Sequence, residues 1–193
     1  ETAPEEEILR GVCFCSERDE DMRTTHVMVL PYDPAWKADF AAIRQELASA
    51  LGELAIAIEH VGSTSVEGLS AKPCIDIDVV MPDRAVFPQI VERLAAIGYT
   101  HEGDLGIPGR EAFCYTDKPH LRLHHLYVCP ADSEELHRHL VFRDFLRTHP
   151  EAVARYSACK EDAARRFPED IEGYMACKGP CIEALYKLCG LSE

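Results

Sequence analysis

Apolar residues recur at helical spacing from Trp36 through Phe40, Ile43 and Leu47 to Leu51, one stripe that predicts a helix over 34–51. Asp33-Pro34 supplies a capping oxygen and a first-turn proline, and Gly52 closes the helix. The period then shortens. Leu54 to Val61 alternates and is rich in β-branched residues, which predicts a strand; 62–73 is a loop of small and turn residues. Cys74 to Met81 is a second strand, apolar except at Asp76 and Asp78. A helix follows over Val86 to Ile97, stopped by Gly98. Two strands come next, Ala112 to Thr116 and Leu121 to Cys129, split by the turn Asp117-Lys118-Pro119. From Asp132 the pattern is helical, with breaks expected at His149-Pro150, Phe167-Pro168 and Gly179-Pro180. The expectation is an α/β (α+β) domain over 27–193, with a sheet core at 27–130 and a helical part at 131–193. Strands 54–61, 74–81 and 121–129 should be neighbours in a short mixed sheet, with the 34–51 helix packed behind them.

The 193 residues, 47% of them hydrophobic, suit one such domain. No apolar run approaches the ~20 residues that span a bilayer, and no charged-then-apolar signal segment opens the chain, so a soluble cytoplasmic protein with no membrane partner is expected. A net charge of −14 argues against general nucleic-acid binding, which needs a basic face. That charge is uneven. Residues 1–21 hold eight acids and two bases, and 1–26 read as a flexible acidic tail. From Arg110 to Lys187 there are 12 bases against 13 acids, so a local basic surface for a polyanion can exist there. Nine cysteines form no disulfide framework: the number is odd, and Cys74, Cys114 and Cys129 sit inside apolar runs, as buried thiols do. Cys177 and Cys181 share a helix face but lack a second pair, a weak basis for zinc.

The chemistry concentrates between His60 and Asp78. Residues two apart on a strand share a face, so Asp76 and Asp78 present parallel carboxylates. Adjacent carboxylates repel, and a hard divalent cation, Mg²⁺ or Mn²⁺, relieves that repulsion. The flanking run Cys74, Ile75, Ile77, Val79, Val80 is too apolar for an exposed edge, which favours a buried site over a solvated one. Upstream, Gly62 lets the backbone approach a phosphate, with the Ser63 hydroxyl and neighbouring Thr64 as further phosphate ligands.

The stretch His60-Val-Gly-Ser-Thr-Ser-Val-Glu-Gly-Leu-Ser-Ala-Lys-Pro-Cys-Ile-Asp-Ile-Asp78 resembles the signature of the GrpB family, a branch of the nucleotidyltransferase superfamily with some members fused to dephospho-coenzyme A kinases. Also matching are Pro31-Tyr32-Asp33-Pro34 with Trp36, Gly109-Arg110 with Phe113, His124-His125, and Phe142-Arg143-Asp144 with Leu146-Arg147. Tyr156 with Lys160 and Tyr174 with Lys178 extend the resemblance to about residues 28–188. It implies a nucleotidyltransferase-like fold and metal-dependent transfer of a nucleoside monophosphate from a triphosphate to a small acceptor. Asp76 and Asp78 would hold the metals, and Gly62 and Ser63 the phosphates. The superfamily's third carboxylate, on a later strand, is missing: Leu121 to Cys129 offers Arg122, His124 and His125 instead. One of the two histidines is therefore a candidate base, and only one of them can face the acids. Tyr127 stands where many relatives carry a histidine. The alternative is a nucleotide- or coenzyme-binding module without turnover.

Four further cations are candidate phosphate ligands. Lys72 lies between loop and acidic strand, and Arg110 follows Gly109. Lys160 and Lys178 each lie one helical turn from a tyrosine, a spacing that suits either a phosphate grip or a lysine snorkelling past a core-edge phenol. Arg143 and Asp144 are expected to pair structurally, and His137 and His139, not at ligand spacing, are assigned no role.

Overall fold

A computed structural model describes residues 26–191; the expected flexible tail over 1–26 lies, but for its last residue, outside the described residues. The helix α1 (Ala35–Leu51) buries Trp36, Ile43, Leu47 and Leu51, the predicted stripe. Residues 52–54 turn once before β1 (Ala57–Val61), so this strand begins three residues later than its pattern suggests. Then come β2 (Ile75–Met81), α2 (Phe87–Ala96), β3 (Tyr99–Gly103), β4 (Glu111–Tyr115) and β5 (His124–Pro130). The chain finishes in three helices, α3 (Glu134–Thr148), α4 (Pro150–Arg166) and α5 (Ile171–Leu188).

The strands form one sheet in the order β1-β2-β5-β4-β3. The predicted neighbours, β1, β2 and β5, are adjacent. All pairings are antiparallel except β2–β5. The edge strand β3 was not anticipated: Tyr99-Thr-His-Glu-Gly is short and mostly polar, and only Tyr99 is buried.

The pleat divides the sheet chemically. Ile75, Ile77, Val79 and Met81 of β2, with Leu126 and Val128 of β5, join Trp36, Ile43, Leu47, Leu51, Ile90 and Leu94 in the main core under α1 and α2. The opposite face carries the polar set and is covered by the C-terminal helices. A second core, of Val66, Leu69, Leu146, Ala152, Val153, Tyr156 and Leu185, fixes those helices to the 62–73 loop. The break expected at Gly179-Pro180 does not occur: α5 runs through Pro180. Tyr174, Gly179 and Leu185 are buried along it, and this packing outweighs the cost of one lost helical hydrogen bond. Among the described residues all seven cysteines are free. No helix there is long and apolar enough to cross a membrane.

Candidate functional site

The loop after β1 is shaped by Gly62, at φ 64° and ψ −172°, a left-handed conformation that favours glycine. A Cβ there would lie 2.7 Å from the Asp76 Cγ and closer still to Oδ2, so the loop lies directly against the carboxylate. Ser63–Ser65 form a single tight turn. Ser65 Oγ donates to the Gly62 carbonyl at 2.6 Å, and Arg147 donates to the Ser65 carbonyl at 3.2 and 3.0 Å. Arg143 binds the His60 carbonyl and the Glu59 carboxylate at 3.2 and 2.7 Å, and also its expected partner Asp144. Two arginines of α3 therefore hold the loop. Thr64 turns inward: buried, it donates to the Cys74 carbonyl and lies 3.0 Å from His60 Nε2, beneath the Phe40 ring stacked on His60. Burial first, then the charges of Arg147 and Arg143, push His60 down to about 4 against the pull of Asp76.

Asp76 and Asp78 share the polar face, as alternation requires. His125 lies opposite Asp76 in the parallel register, and its Nδ1 donates to Asp76 Oδ1 at 2.9 Å. Burial raises the Asp76 carboxyl, but the His125 hydrogen bond and the charges of His125, His139 and His60 hold it below the usual carboxylate range. Burial likewise lowers His125, yet Cys74 and Asp76 beside it hold it well above the usual imidazole range. Asp78 is fully buried. Its Oδ2 accepts from His139 Nδ1 at 2.7 Å, and His139 Nε2 lies 3.2 Å from Glu135 Oε1. Burial opposes the charge on His139, but Asp78 and Glu135 raise it to about 10. The other oxygen, Asp78 Oδ1, is buried without a hydrogen-bond partner among the described residues.

The cations gather on the loop side. Lys160, buried over the Tyr156 ring at 4.2 Å, donates to Ser63 Oγ at 2.9 Å. Lys178 stands 5.0 Å over Tyr174. Burial, then the charge of Lys178, lowers Lys160 well below the usual lysine range. Burial, then Lys72, lowers Lys178 to about 8, against Asp76 and Cys159. Lys72 is half-buried. Arg110 lies on the other flank, over the ring of Tyr127 at 4.2 Å.

His124 does not join this group. It points into the opposite layer, where Nδ1 donates to the Arg122 carbonyl at 2.7 Å and Nε2 lies 2.7 Å from the Tyr99 hydroxyl. Stacked on Tyr115 and pushed down to about 4 by burial, it is a core residue. The sequence-predicted set thus converges at Gly62, Ser63, Asp76, Asp78, His125, Lys160 and Lys178, with Lys72 near the lysines, while Thr64 and His124 face inward. His139 and Glu135 were missed. Their one signal was i,i+4 spacing on a helix, which by itself only predicts a pair.

The acids suit a hard cation in one respect: Asp78 Oδ1 is unpartnered and Asp76 Oδ2 faces the loop. Among the described residues no cluster of three or more His, Cys, Asp or Glu could hold a metal by itself. Mg²⁺ bound through one or two carboxylates and the phosphates it carries is consistent with such a pair.

The sequence model of the GrpB protein family matches residues 26–188. A UPF0157 protein of Pseudomonas aeruginosa is 39% identical over 156 residues, which are 80% of this chain and 64% of that protein. A dephospho-CoA kinase of Mycolicibacterium paratuberculosis is 31% identical over 186 residues, covering 83% of this chain and 45% of the kinase. The chain therefore spans less than two thirds of either relative. The crystal structure of the conserved protein GrpB from Enterococcus faecalis superposes with a TM-score of 0.70 at 34% identity, covering 83% of this chain and 99% of that one. A variant of the Cid1 poly(U) polymerase bound to MgATP gives 0.51 at 15% identity over 72% of this chain and 45% of that one, a likeness of fold.

Proposed function

The chain belongs to the GrpB family, and for it we propose nucleotidyl transfer: a nucleoside triphosphate, bound with Mg²⁺ or Mn²⁺, gives its nucleoside monophosphate to a small acceptor and releases pyrophosphate. One observation carries this reading. The Gly62–Ser63 loop, the Asp76 carboxylate beneath it and the Lys160 Nζ on Ser63 Oγ meet at one point, where a phosphate chain would find a hydroxyl, an amine that its charge favours protonating and a metal-binding acid together.

Asp76 and Asp78 would hold the cation, which when bound neutralises phosphate charge and polarises the phosphoryl group. The remaining work belongs to the chain. Ser63 and Lys160 grip phosphate oxygens, with Lys178 and Lys72 behind them. Arg143 and Arg147 keep the loop rigid. His125 and His139 donate to one oxygen of each acid, leaving the other free, as partners of metal-binding carboxylates do.

A second reading, nucleotide or coenzyme binding without turnover, is favoured by one observation: the β5 residues opposite Asp76 and Asp78 are His125 and Tyr127, not carboxylates. Similarity to proteins named dephospho-CoA kinase adds a coenzyme to the ligands worth testing. Pyrophosphate release from each of the four triphosphates, with a panel of hydroxylated acceptors and Mg²⁺ or Mn²⁺, separates the readings. Transfer predicts release that stops in the Asp76→Asn/Asp78→Asn double variant. Tight metal-dependent binding with no release under any condition would favour the second reading.

A further inference from the structure

Arg110 is 3% exposed, yet its Nε and Nη2 have no hydrogen-bond partner among the described residues. No carboxylate there forms an ion pair with it: Asp78 and Glu135 are both engaged by His139. The two idle nitrogens form one edge of the guanidinium, the edge whose parallel N–H bonds match the two oxygens of a carboxylate or phosphate. Glu135 feels the charge of Arg110 without bonding to it, so the charge is partly balanced while the two N–H donors stay unsatisfied, which is costly unless a ligand completes them.

Its position says which ligand. Across the sheet, the Ser63 loop follows β1, the acids stand on β2, Tyr127 lies beside Asp78 on β5, and Arg110 enters β4 with its guanidinium over Tyr127. The triphosphate cations and Arg110 are therefore on opposite flanks of the acids. Over the Arg110 flank runs the loop from Gly103 to Gly109. Its Leu105, at φ 50°, packs against the cluster that contains Tyr127. Gly103, Gly106 and Gly109 all have φ between 79° and 85°, backbone that a few small residues can re-set when the loop moves.

We infer that Arg110 receives a two-oxygen anionic group, a carboxylate or a phosphate, carried by the acceptor, which reaches it when the 103–109 loop opens. This rests on the transfer reading and gives the acceptor a chemical class: a small hydroxylated acid or phosphate ester rather than a neutral alcohol or sugar. It also moves Arg110 from the triphosphate, where sequence placed it, to the second substrate.

The test reads the guanidinium directly. The Nε–H resonance of Arg110, identified by its absence from the R110K spectrum or by through-bond assignment of the wild type, is followed during titration with acetate, inorganic phosphate, acetamide and chloride. A saturable shift with acetate or phosphate, and none with acetamide or chloride, is expected, and the stronger of the two names the anion. No shift with either oxyanion, or an equal shift with chloride, overturns the inference. Calorimetry of the wild type with Mg²⁺ and triphosphate reports on the transfer reading separately: triphosphate binding with a silent Arg110 sinks the anion site alone, whereas a responsive Arg110 without triphosphate binding sinks the transfer reading and keeps the site. In the acceptor panel anionic members should turn over at least about tenfold faster than their neutral counterparts; a preference for neutral acceptors would overturn the assignment to the acceptor.

Discussion

Triphosphate binding should take up protons, and Lys178 sets the size of the effect. Burial, then Lys72, pushes its pKa down to about 8, against the pull of Asp76 and Cys159. Phosphate oxygens arriving among these amines favour the ammonium and return Lys178 toward the ordinary value of ~10.4. A ligand that raises a pKa binds best where the group is already protonated, below the free value. That advantage is lost as pH climbs from about 8 toward ~10.4. From Lys178 alone, linkage makes binding about tenfold weaker at pH 9 than at pH 7, with roughly half a proton taken up at pH 8. Lys160, also depressed, adds to the slope in the same direction. Calorimetry at pH 7, 8 and 9, in pairs of buffers with different ionisation heats, measures both affinity and uptake. Lys178→Arg keeps its charge throughout this range, so its slope should be shallower by about the same tenfold. An affinity flat between pH 7 and 9, or a variant as pH-sensitive as the wild type, would refute the argument.

Gly62→Ala forces a Cβ against Asp76 and strains a left-handed backbone; thermal unfolding should show a loss of at least ~1 kcal/mol, and metal-dependent triphosphate binding should disappear. The Asp76→Asn/Asp78→Asn double variant should bind triphosphate with no dependence on Mg²⁺ by calorimetry; unchanged dependence would place the metal elsewhere. The adjacent histidines should part company. His125→Ala, which frees Asp76, is expected to lower pyrophosphate release about ten- to a hundredfold with little change in melting temperature. His124→Ala, which strands the Tyr99 hydroxyl and the Arg122 carbonyl, is expected to cost roughly 2–3 kcal/mol in chemical denaturation with release retained by the remaining folded protein. Equal effects from both would contradict the division of the sheet faces.

What the sequence disclosed was local. The α1 stripe, the two acids on one strand face and the rule that only one of two consecutive histidines can face them all follow from periods of 3.6 and 2. The structure chooses His125 because the parallel β2–β5 register puts it level with Asp76, and register between strands so far apart leaves no mark in either strand. His139 was invisible for a related reason. Its spacing to His137 spoke against a metal pair, and its real partner, Asp78, is 61 positions away. Thr64 looked like a phosphate ligand because small polar residues in a loop usually face solvent; here the tight turn drives it under His60. Pro180 and β3 were misjudged because helix packing outweighed a breaker residue and because an edge strand buries too little to show a pattern.

The parallel pairing at the centre of the sheet also orders events during synthesis. Asp76 and His125 are 49 residues apart, and Ser63 and Lys160 are 97 apart. At ribosomal rates of about 5–20 residues per second, the Ser63 loop exists for roughly 5–20 s before the amine that binds it has been made. The nascent chain thus carries a pair of adjoining carboxylates that must stay hydrated, since β2 cannot settle beside β5 until the chain has passed residue 130. Lys178 comes last, on α5. Both acids are thus made before Lys160 and Lys178, so the cluster at Gly62, Ser63, Asp76 and the two helix lysines can close only after α5 has emerged.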